Sequence, residues 1–310
     1  MRAGSAESQG ARAEWSPEPR LSKGLDVDSG SHSVRVGPVL LSVPRDHVSL
    51  TTELRALTEG YKPGPERTAL SRVARVELDS CARADAHRPA GDPEFVYHSA
   101  HRAYVAPTQV ADLCLQLGGD ETVLRAEFHP GQVAGVSFPG FLLRMVTTTA
   151  LVQANALLVH GCAMVSPTGE ATLFLGASGD GKTTMTRRLP GWKVLADDTV
   201  LIEGMPGHGA LYVSGTPYAG REGLPRCGER VELTRLVVLH PHAASLSFTS
   251  LGVADGLQAL LKRVFCPLID GPIPIKVVDL ATRVSERVTT YRLSSDLSHD
   301  LIPLFDKGTA

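Results

Sequence analysis

The chain has no strong charge bias, no long apolar run and few aromatic residues. Its formal net charge is −2 over 310 residues, which provides no general attraction for nucleic acid. No stretch approaches the ~18 consecutive apolar residues of a membrane-spanning helix. Residues 1–15 lack the apolar core of a secretory signal. The sequence therefore predicts a cytoplasmic protein that binds neither nucleic acid nor membrane.

The cysteines are few and scattered. Five are present, and none forms a C-x-x-C pair or a metal-ligand spacing: Cys81, Cys114, Cys162, Cys227 and Cys266. An odd, dispersed set without a secretory signal favours reduced thiols over disulfides, and it supports no zinc site.

What the chain does have is enough apolar sequence for a core, at 43% hydrophobic residues. Residues 1–35 are rich in Ser, Gly, Glu and Arg and predict a disordered tail. Residues 36–148 predict a small α+β domain, with strands at RVARVELDS, FVYHSA and VLRAEFHP and helical spacing in VAPTQVADLCLQLG. Residues 149–310 predict an α/β domain with a helix near residues 256–264 and a final β-rich stretch.

The segment GASGDGKTT matches the phosphate-loop pattern G-x-x-x-x-G-K-[ST]. ATLFL before it predicts a buried strand, and residues 183–189 after it predict the start of a helix, which is the context that the pattern requires. In such a loop the backbone N–H groups surround phosphate oxygens, the lysine reaches the β- and γ-phosphates, and the hydroxyl after it binds Mg²⁺. The candidate nucleotide-binding residues are Gly176, Ala177, Ser178, Gly179, Asp180, Gly181, Lys182, Thr183 and Thr184.

Two carboxylates follow the loop after a short helix. The Pro-Gly pair in LPGW ends that helix, and KVLADD predicts a strand that ends at Asp197 and Asp198. Adjacent strand residues point to opposite faces, so one carboxylate can hold Mg²⁺ while the other meets an acceptor hydroxyl. The alternative is that the pair is only an acidic strand end or a helix cap.

His160 is the third candidate. If residues 166–170 form a hairpin turn, Val165 pairs with Ala171, and counting back places His160 opposite Gly176 at the start of the loop. The alternative is a histidine with a purely structural role in a buried strand.

Residues 160–202 together resemble the core of the HPr kinase/phosphorylase superfamily, and in particular the HPr-kinase-related proteins often encoded beside peptide natural-product genes. The shared layout is a histidine, a hairpin, the phosphate loop, a short helix and an Asp-Asp pair. The resemblance implies a P-loop kinase core related to that of phosphoenolpyruvate carboxykinase. It also implies that Asp197 is the general base, assisted by His160, and that Asp198 and Thr183 lie on the metal side.

The sequence departs from that family at one motif. HPr kinases carry an E-x-R-G-x-G signature downstream of the Asp pair, whereas the corresponding region here is SGTPYAGREGLPRCG, with Arg221 and Glu222 only loosely similar. The resemblance therefore does not extend to HPr as the substrate or to the reverse phosphorylase reaction.

The sequence as a whole favours a kinase that uses Mg²⁺ and ATP, or another nucleoside triphosphate. The expected acceptor is a hydroxyl, typically a serine of a peptide or protein, with a small hydroxylated metabolite as the other option. The alternatives are a nucleotide-sensing module with little or no kinase activity and an inactive member that serves as a scaffold. Homo-oligomer formation stays open.

Lys182→Ala removes the one positive side chain expected at the β- and γ-phosphates. We expect the purified variant to keep its fold, checked by circular dichroism, and to lose phosphate transfer from labelled ATP to candidate peptides. Transfer at the wild-type rate would contradict the assignment of the loop as the active site.

Overall fold

The computed structural model describes residues 31–62, 72–80, 94–108, 111–128, 138–204, 209–218, 224, 226–241, 243, 245–295 and 300–306. These residues form an α/β structure with two large β-sheets and a short two-stranded one. The helices are α1 (Val48–Thr58), α2 (Phe138–Gln153), α3 (Lys182–Arg188), α4 (Val253–Leu261), α5 (Pro272–Arg287) and α6 (Ile302–Asp306).

The first sheet contains seven strands in the order β1-β2-β4-β8-β7-β6-β5. Its strands are β1 (Ser31–Val36), β2 (Val39–Pro44), β4 (Arg72–Ser80), β5 (Val96–His98), β6 (Ala103–Pro107), β7 (Ala111–Leu117) and β8 (Glu121–Phe128). β2, β4 and β8 are parallel neighbours, and the other pairs are antiparallel. The short β3 (Tyr61–Lys62) instead pairs with β15 (Arg226–Cys227) of the C-terminal half.

The second sheet carries the phosphate loop. Its main path is β12-β10-β11-β16-β14-β13-β9, and β18 extends it beside β16 with β17 next to β18. Its strands are β9 (Ala156–His160), β10 (Cys162–Val165), β11 (Ala171–Leu175), β12 (Lys193–Ala196), β13 (Thr199–Gly204), β14 (Leu211–Gly215), β16 (Val231–Pro241), β17 (Ser247–Ser250) and β18 (Thr289–Ser295). β11, β16 and β18 are parallel, so their carboxyl ends lie at one edge of the sheet.

Helix α2 joins the two halves. It is apolar apart from one arginine, three threonines and one glutamine, and it packs against β4 and β8 of the first sheet and against β9 and α5 of the C-terminal half. Buried side chains of both sheets, among them Leu41 and Leu201, belong to one continuous apolar core. The division predicted at residues 148 and 149 therefore falls inside a helix that both halves share.

Several predicted elements are confirmed. ATLFL is β11, RVARVELDS is β4, and the predicted strands FVYHSA and VLRAEFHP contain β5 and most of β8. Residues 166–170 form the hairpin turn, and LPGW follows the end of α3.

Other predictions were wrong. VAPTQVADLCLQLG contains the end of β6 and all of β7 instead of a helix, because the apolar residues of ADLCLQL recur at every second position. The final β-rich stretch contains the 16-residue helix α5. Residues 31–35, assigned to the tail, belong to β1, and residues 1–30 lie outside the described part of the chain.

A substitution in the turn between β1 and β2 tests how closely the N-terminal half packs against the C-terminal half. Gly37 has a φ of +56°, and a Cβ there would collide with Cδ2 of Leu201 in β13. We expect Gly37→Ala to lower the free energy of unfolding by about 2 kcal/mol or more, from the left-handed backbone and the clash together. Urea denaturation measures this.

Gly119→Ala is the matched control, because a Cβ at Gly119 has nothing within 4 Å. Equal stability of the two variants would contradict the close packing at Gly37.

Candidate functional site

The predicted phosphate loop lies between a buried strand and a helix, as its pattern requires. It leaves β11 at Gly176 and enters α3 at Lys182. Gly179 and Gly181 have φ values of +90° and +92°, a conformation that favours glycine. The Asp180 carboxylate accepts a hydrogen bond from the Ala177 N–H, which closes the loop on itself. The strand, loop and helix predicted from the sequence are confirmed.

Lys182 is buried at the centre of this loop, with 7% of its surface exposed. Its Nζ donates hydrogen bonds to the carbonyl oxygens of Gly176 at 3.0 Å and Ala177 at 2.8 Å. Burial lowers the pKa of Lys182, and the charge of Arg263 lowers it further, while Asp180 and Asp198 act in the opposite direction. Carbonyl oxygens of the loop thus satisfy an ammonium group that would otherwise be costly to bury.

The two carboxylates lie between β12 and β13, beside the loop. Asp198 Oδ1 is 3.3 Å from His160 Nδ1, and the Thr199 hydroxyl donates to Asp198 Oδ2 at 2.8 Å. Burial raises the pKa of Asp198, but the hydrogen bonds from His160 and Thr199, together with the charges of His160 and Arg144, lower it by more in sum. Asp198 is therefore held as an anion close to Lys182.

Asp197 is more deeply buried than Asp198. It is 5% exposed, whereas the Asp198 side chain is 27% exposed. Asp197 also lies near the buried thiol of Cys162, whose pKa is raised first by burial and then by the charge of Asp197. The two adjacent carboxylates thus have different surroundings, as the sequence predicted.

The predicted strand pairing of His160 with Gly176 was wrong. The hairpin has Val165 opposite Ala171, as expected, but the pairing ends at Cys162 and Phe174. His160 belongs to β9 and lies opposite Thr199. The strand breaks at Gly161, where a Cβ would lie 2.7 Å from Leu173 Cδ1 and 3.0 Å from the Phe174 carbonyl oxygen. The break brings His160 to Asp198 instead of to Gly176.

The other loop residues surround Lys182. Gly176 is buried, Ser178 and Gly179 are exposed, and Ala177, Asp180, Gly181, Thr183 and Thr184 are half-buried.

In the described part of the chain no group of three or more His, Cys, Asp and Glu side chains could hold a metal ion. The Asp198 carboxylate and the Thr183 hydroxyl are oxygen groups of the type that Mg²⁺ prefers, and this ion is usually bound by only one or two carboxylates together with phosphates and water.

Arg263 is a candidate that the sequence did not reveal. The His160 N–H donates to the Arg263 carbonyl at 2.7 Å, and the Phe265 N–H donates to the Leu158 carbonyl at 2.9 Å. These bonds attach the segment after α4 to β9, and Arg263 thereby lines a cleft with Gly176 and Asp180. A second cation therefore lies beside Lys182.

Arg144 is a second candidate that was missed. It is the one charged residue of α2, and its guanidinium lies 5.1 Å from the ring centre of Tyr218 and 5.0 Å from that of Phe265. Its charge contributes to the lowered pKa of Asp198. A single arginine in a helix whose other residues are all uncharged was the available signal. Arg221 and Glu222, the loose match to the family signature, lie outside the described residues.

No protein-family model matches the chain, and the search of curated proteins produced no match. None of the helices in the described ranges combines the length and apolar character needed to cross a bilayer.

The contact between His160 and Asp198 can be tested in the protein without any bound ligand. His160→Ala removes a hydrogen bond that stabilises the ionised carboxylate of Asp198. Because burial favours the protonated form, the pKa of Asp198 should rise in this variant. A carbon NMR titration of the Asp198 carboxyl measures this.

His240→Ala, at an exposed histidine of β16, is the control and should leave the pKa of Asp198 unchanged. The same Asp198 pKa in both variants would show that His160 does not stabilise the anion.

Proposed function

We propose that this protein is an Mg²⁺-dependent kinase that transfers the γ-phosphate of ATP, or of another nucleoside triphosphate, to a hydroxyl group. The observation that carries the proposal is the convergence of Lys182, inside a complete phosphate loop, with the hydrogen-bonded pair His160 and Asp198. Phosphoryl transfer needs two kinds of group. Cations and N–H donors bind the phosphates, whereas carboxylates bind the metal ion and accept the proton of the acceptor hydroxyl.

Lys182 supplies charge to the phosphates. Its ammonium group now binds two carbonyl oxygens of its own loop, and we expect it to exchange them for β- and γ-phosphate oxygens when nucleotide enters. An ammonium group attracts an anionic phosphate oxygen more strongly than a neutral carbonyl oxygen, which favours the exchange. Arg263 adds a second positive charge on the cleft side of the loop.

Asp198 and Thr183 are the residues that would hold the metal. Mg²⁺ bound there would supply positive charge to the phosphates and offset the negative charge that develops during transfer. A carboxylate with a lowered pKa suits this role, because it stays anionic and takes up a proton poorly. His160 then acts as a positioning residue, since it holds the orientation and the charge of Asp198.

Asp197 is the remaining carboxylate and the proposed general base for the acceptor hydroxyl. Its burial beside Cys162 gives it surroundings unlike those of Asp198. This division of roles agrees with the resemblance to HPr-kinase-related proteins, except that His160 contacts Asp198 rather than assisting Asp197.

The acceptor proposed is a serine of a peptide or protein, with a small hydroxylated metabolite as the second option. The family resemblance supports the peptide. A second carboxylate beside the metal-side carboxylate favours a kinase over a nucleotide-sensing module, which has no need of a base for an acceptor.

Substitution of the two aspartates separates their roles. Asp198→Asn should weaken Mg²⁺-dependent ATP binding, because an amide is a poorer ligand for a hard cation. Asp197→Asn should bind MgATP nearly normally and slow transfer by about 10² to 10⁴, the range for a lost general base. Calorimetric titration of MgATP and a transfer assay measure the two effects.

Asp279→Asn, on the exposed surface of α5, is the matched control. Equal loss of MgATP affinity in both active-site variants would contradict the division of roles, and the reverse pattern would exchange the two assignments.

A further inference from the structure

The segment that follows β14 is buried although it forms neither helix nor strand. It comprises residues 216–218, here called the connecting segment, and each of the three is buried. Irregular chain is usually found at the surface, because buried backbone groups must find hydrogen-bond partners within the protein. Three side chains hold the connecting segment in place: Thr216, Tyr218 and Arg226.

The first residue of the connecting segment is bonded to the neighbour of Asp198. The Thr216 hydroxyl is fully buried and donates to the carbonyl oxygen of Thr199 at 2.9 Å. The hydroxyl of Thr199 in turn donates to Asp198 Oδ2 at 2.8 Å. Thr199 thus links the Asp198 carboxylate to the connecting segment.

The last residue of the connecting segment is fixed against α2. The Tyr218 hydroxyl is buried within hydrogen-bond distance of two groups of this helix, the Leu143 carbonyl oxygen at 3.1 Å and the Thr147 hydroxyl at 2.9 Å. The Arg144 guanidinium lies 5.1 Å from the centre of the Tyr218 ring. Both the ring and the hydroxyl of Tyr218 therefore contact the helix that the two halves share.

Arg226 attaches the middle of the connecting segment to α1. Its Nη1 donates to the Leu57 carbonyl oxygen at 2.8 Å and also to that of Pro217, and its Nη2 donates to the Glu59 carbonyl oxygen. Leu57 and Glu59 lie at the carboxyl end of α1, where carbonyl groups lack helical partners and a positive charge is favourable. The pairing of β15 with β3 brings Arg226 to this position. One guanidinium thus joins a helix of the N-terminal half to the connecting segment.

We propose that Thr216, Tyr218 and Arg226 are positioning residues, through which α1 and α2 hold the Asp198 carboxylate in the orientation that binds a metal ion. The inference rests on the proposed function for the metal-side role of Asp198, and it gives the N-terminal half a part in metal binding. Residues that orient a metal ligand contribute to metal affinity although they do not touch the metal.

The competing interpretation is that these contacts only stabilise the fold. The two bonds of Thr199 favour positioning, because its carbonyl faces the connecting segment while its hydroxyl faces Asp198. A displacement of the connecting segment would therefore move the group that binds the carboxylate. A purely stabilising contact would leave metal binding by the folded protein unchanged.

Four substitutions separate these interpretations. Thr216→Val removes the hydroxyl that binds the Thr199 carbonyl and keeps the shape of the side chain, whereas Thr216→Ser keeps the hydroxyl and loses a methyl group. Arg226→Met removes the attachment to α1. Tyr218→Phe removes the hydroxyl next to α2 and keeps the buried ring, so it tests the attachment to the helices even if Arg226→Met does not fold.

Thr282→Val is the matched control, because the Thr282 hydroxyl also donates to a carbonyl oxygen, that of Val278 on the surface of α5. Calorimetry measures the affinity for ATP with Mg²⁺ and with EDTA in its place. Carbon NMR of the ligand-free protein at one neutral pH records the Asp198 carboxyl signal. Thermal unfolding shows which variants are folded.

We expect Thr216→Val, Arg226→Met and Tyr218→Phe to lose about threefold to tenfold in MgATP affinity, less than the ~10- to 100-fold cost of changing a direct partner of a metal ligand. Their affinity for ATP without Mg²⁺ should stay within about twofold of the wild type, which is less than 0.5 kcal/mol in binding free energy. The Asp198 carboxyl signal should shift in all three. Thr216→Ser and Thr282→Val should match the wild type in each measurement.

An unchanged Asp198 signal in folded Thr216→Val, or unchanged MgATP affinity in the folded variants of Arg226 and Tyr218, would overturn the inference and leave the kinase proposal intact. Equal losses of ATP affinity with and without Mg²⁺ would also overturn it, as would a Thr216→Ser variant as impaired as Thr216→Val. If the wild-type protein binds no ATP, the kinase proposal fails and the Asp198 signal alone decides this inference. A shift in the three variants then supports it, and no shift overturns it.

Discussion

A buried ammonium group must have oxygen partners, and this requirement organises the site around Lys182. Two carbonyl oxygens of the preceding loop meet it, which draws the loop tightly around the side chain. Gly179 and Gly181 allow the backbone to turn this sharply, since both have positive φ. Turns of this kind direct backbone N–H groups toward the phosphates in phosphate loops. Under the proposed function, the same turn that satisfies the lysine would therefore also form the phosphate site.

Charges from distant parts of the chain complete the surroundings of Lys182 and Asp198. Arg263 comes from the segment after α4, which pairs with β9, and Arg144 comes from α2, the helix shared by the two halves. The N-terminal half therefore has a physical connection to the site, because its sheet packs on the helix that carries Arg144. This connection gives that half a structural role at the site.

The sequence was sufficient to predict those parts of the structure that are decided by neighbouring residues in the chain. The loop, its flanking strand and helix, and the turn after α3 follow from glycine, proline and apolar periodicity. It failed for His160, because the chain leaves the hairpin at Gly161 and His160 pairs with Thr199 of β13, a strand distant in sequence. The periodicity of α5 was present, with Ile273, Val277 and Leu280 at helical spacing, but it was not recognised. Arg263 had no local signal, since its position depends on a strand pairing distant in sequence.

Under the proposed function, Lys182 exchanges its two carbonyl partners for phosphate oxygens when nucleotide binds. A crystal structure with Mg²⁺ and a non-hydrolysable ATP analogue tests it most directly. The account predicts that Lys182 Nζ leaves the carbonyl oxygens of Gly176 and Ala177 and binds β- and γ-phosphate oxygens, with Asp198 and Thr183 on the metal side. A bound analogue whose phosphates lie away from the loop, with Lys182 still on its carbonyls, would contradict it.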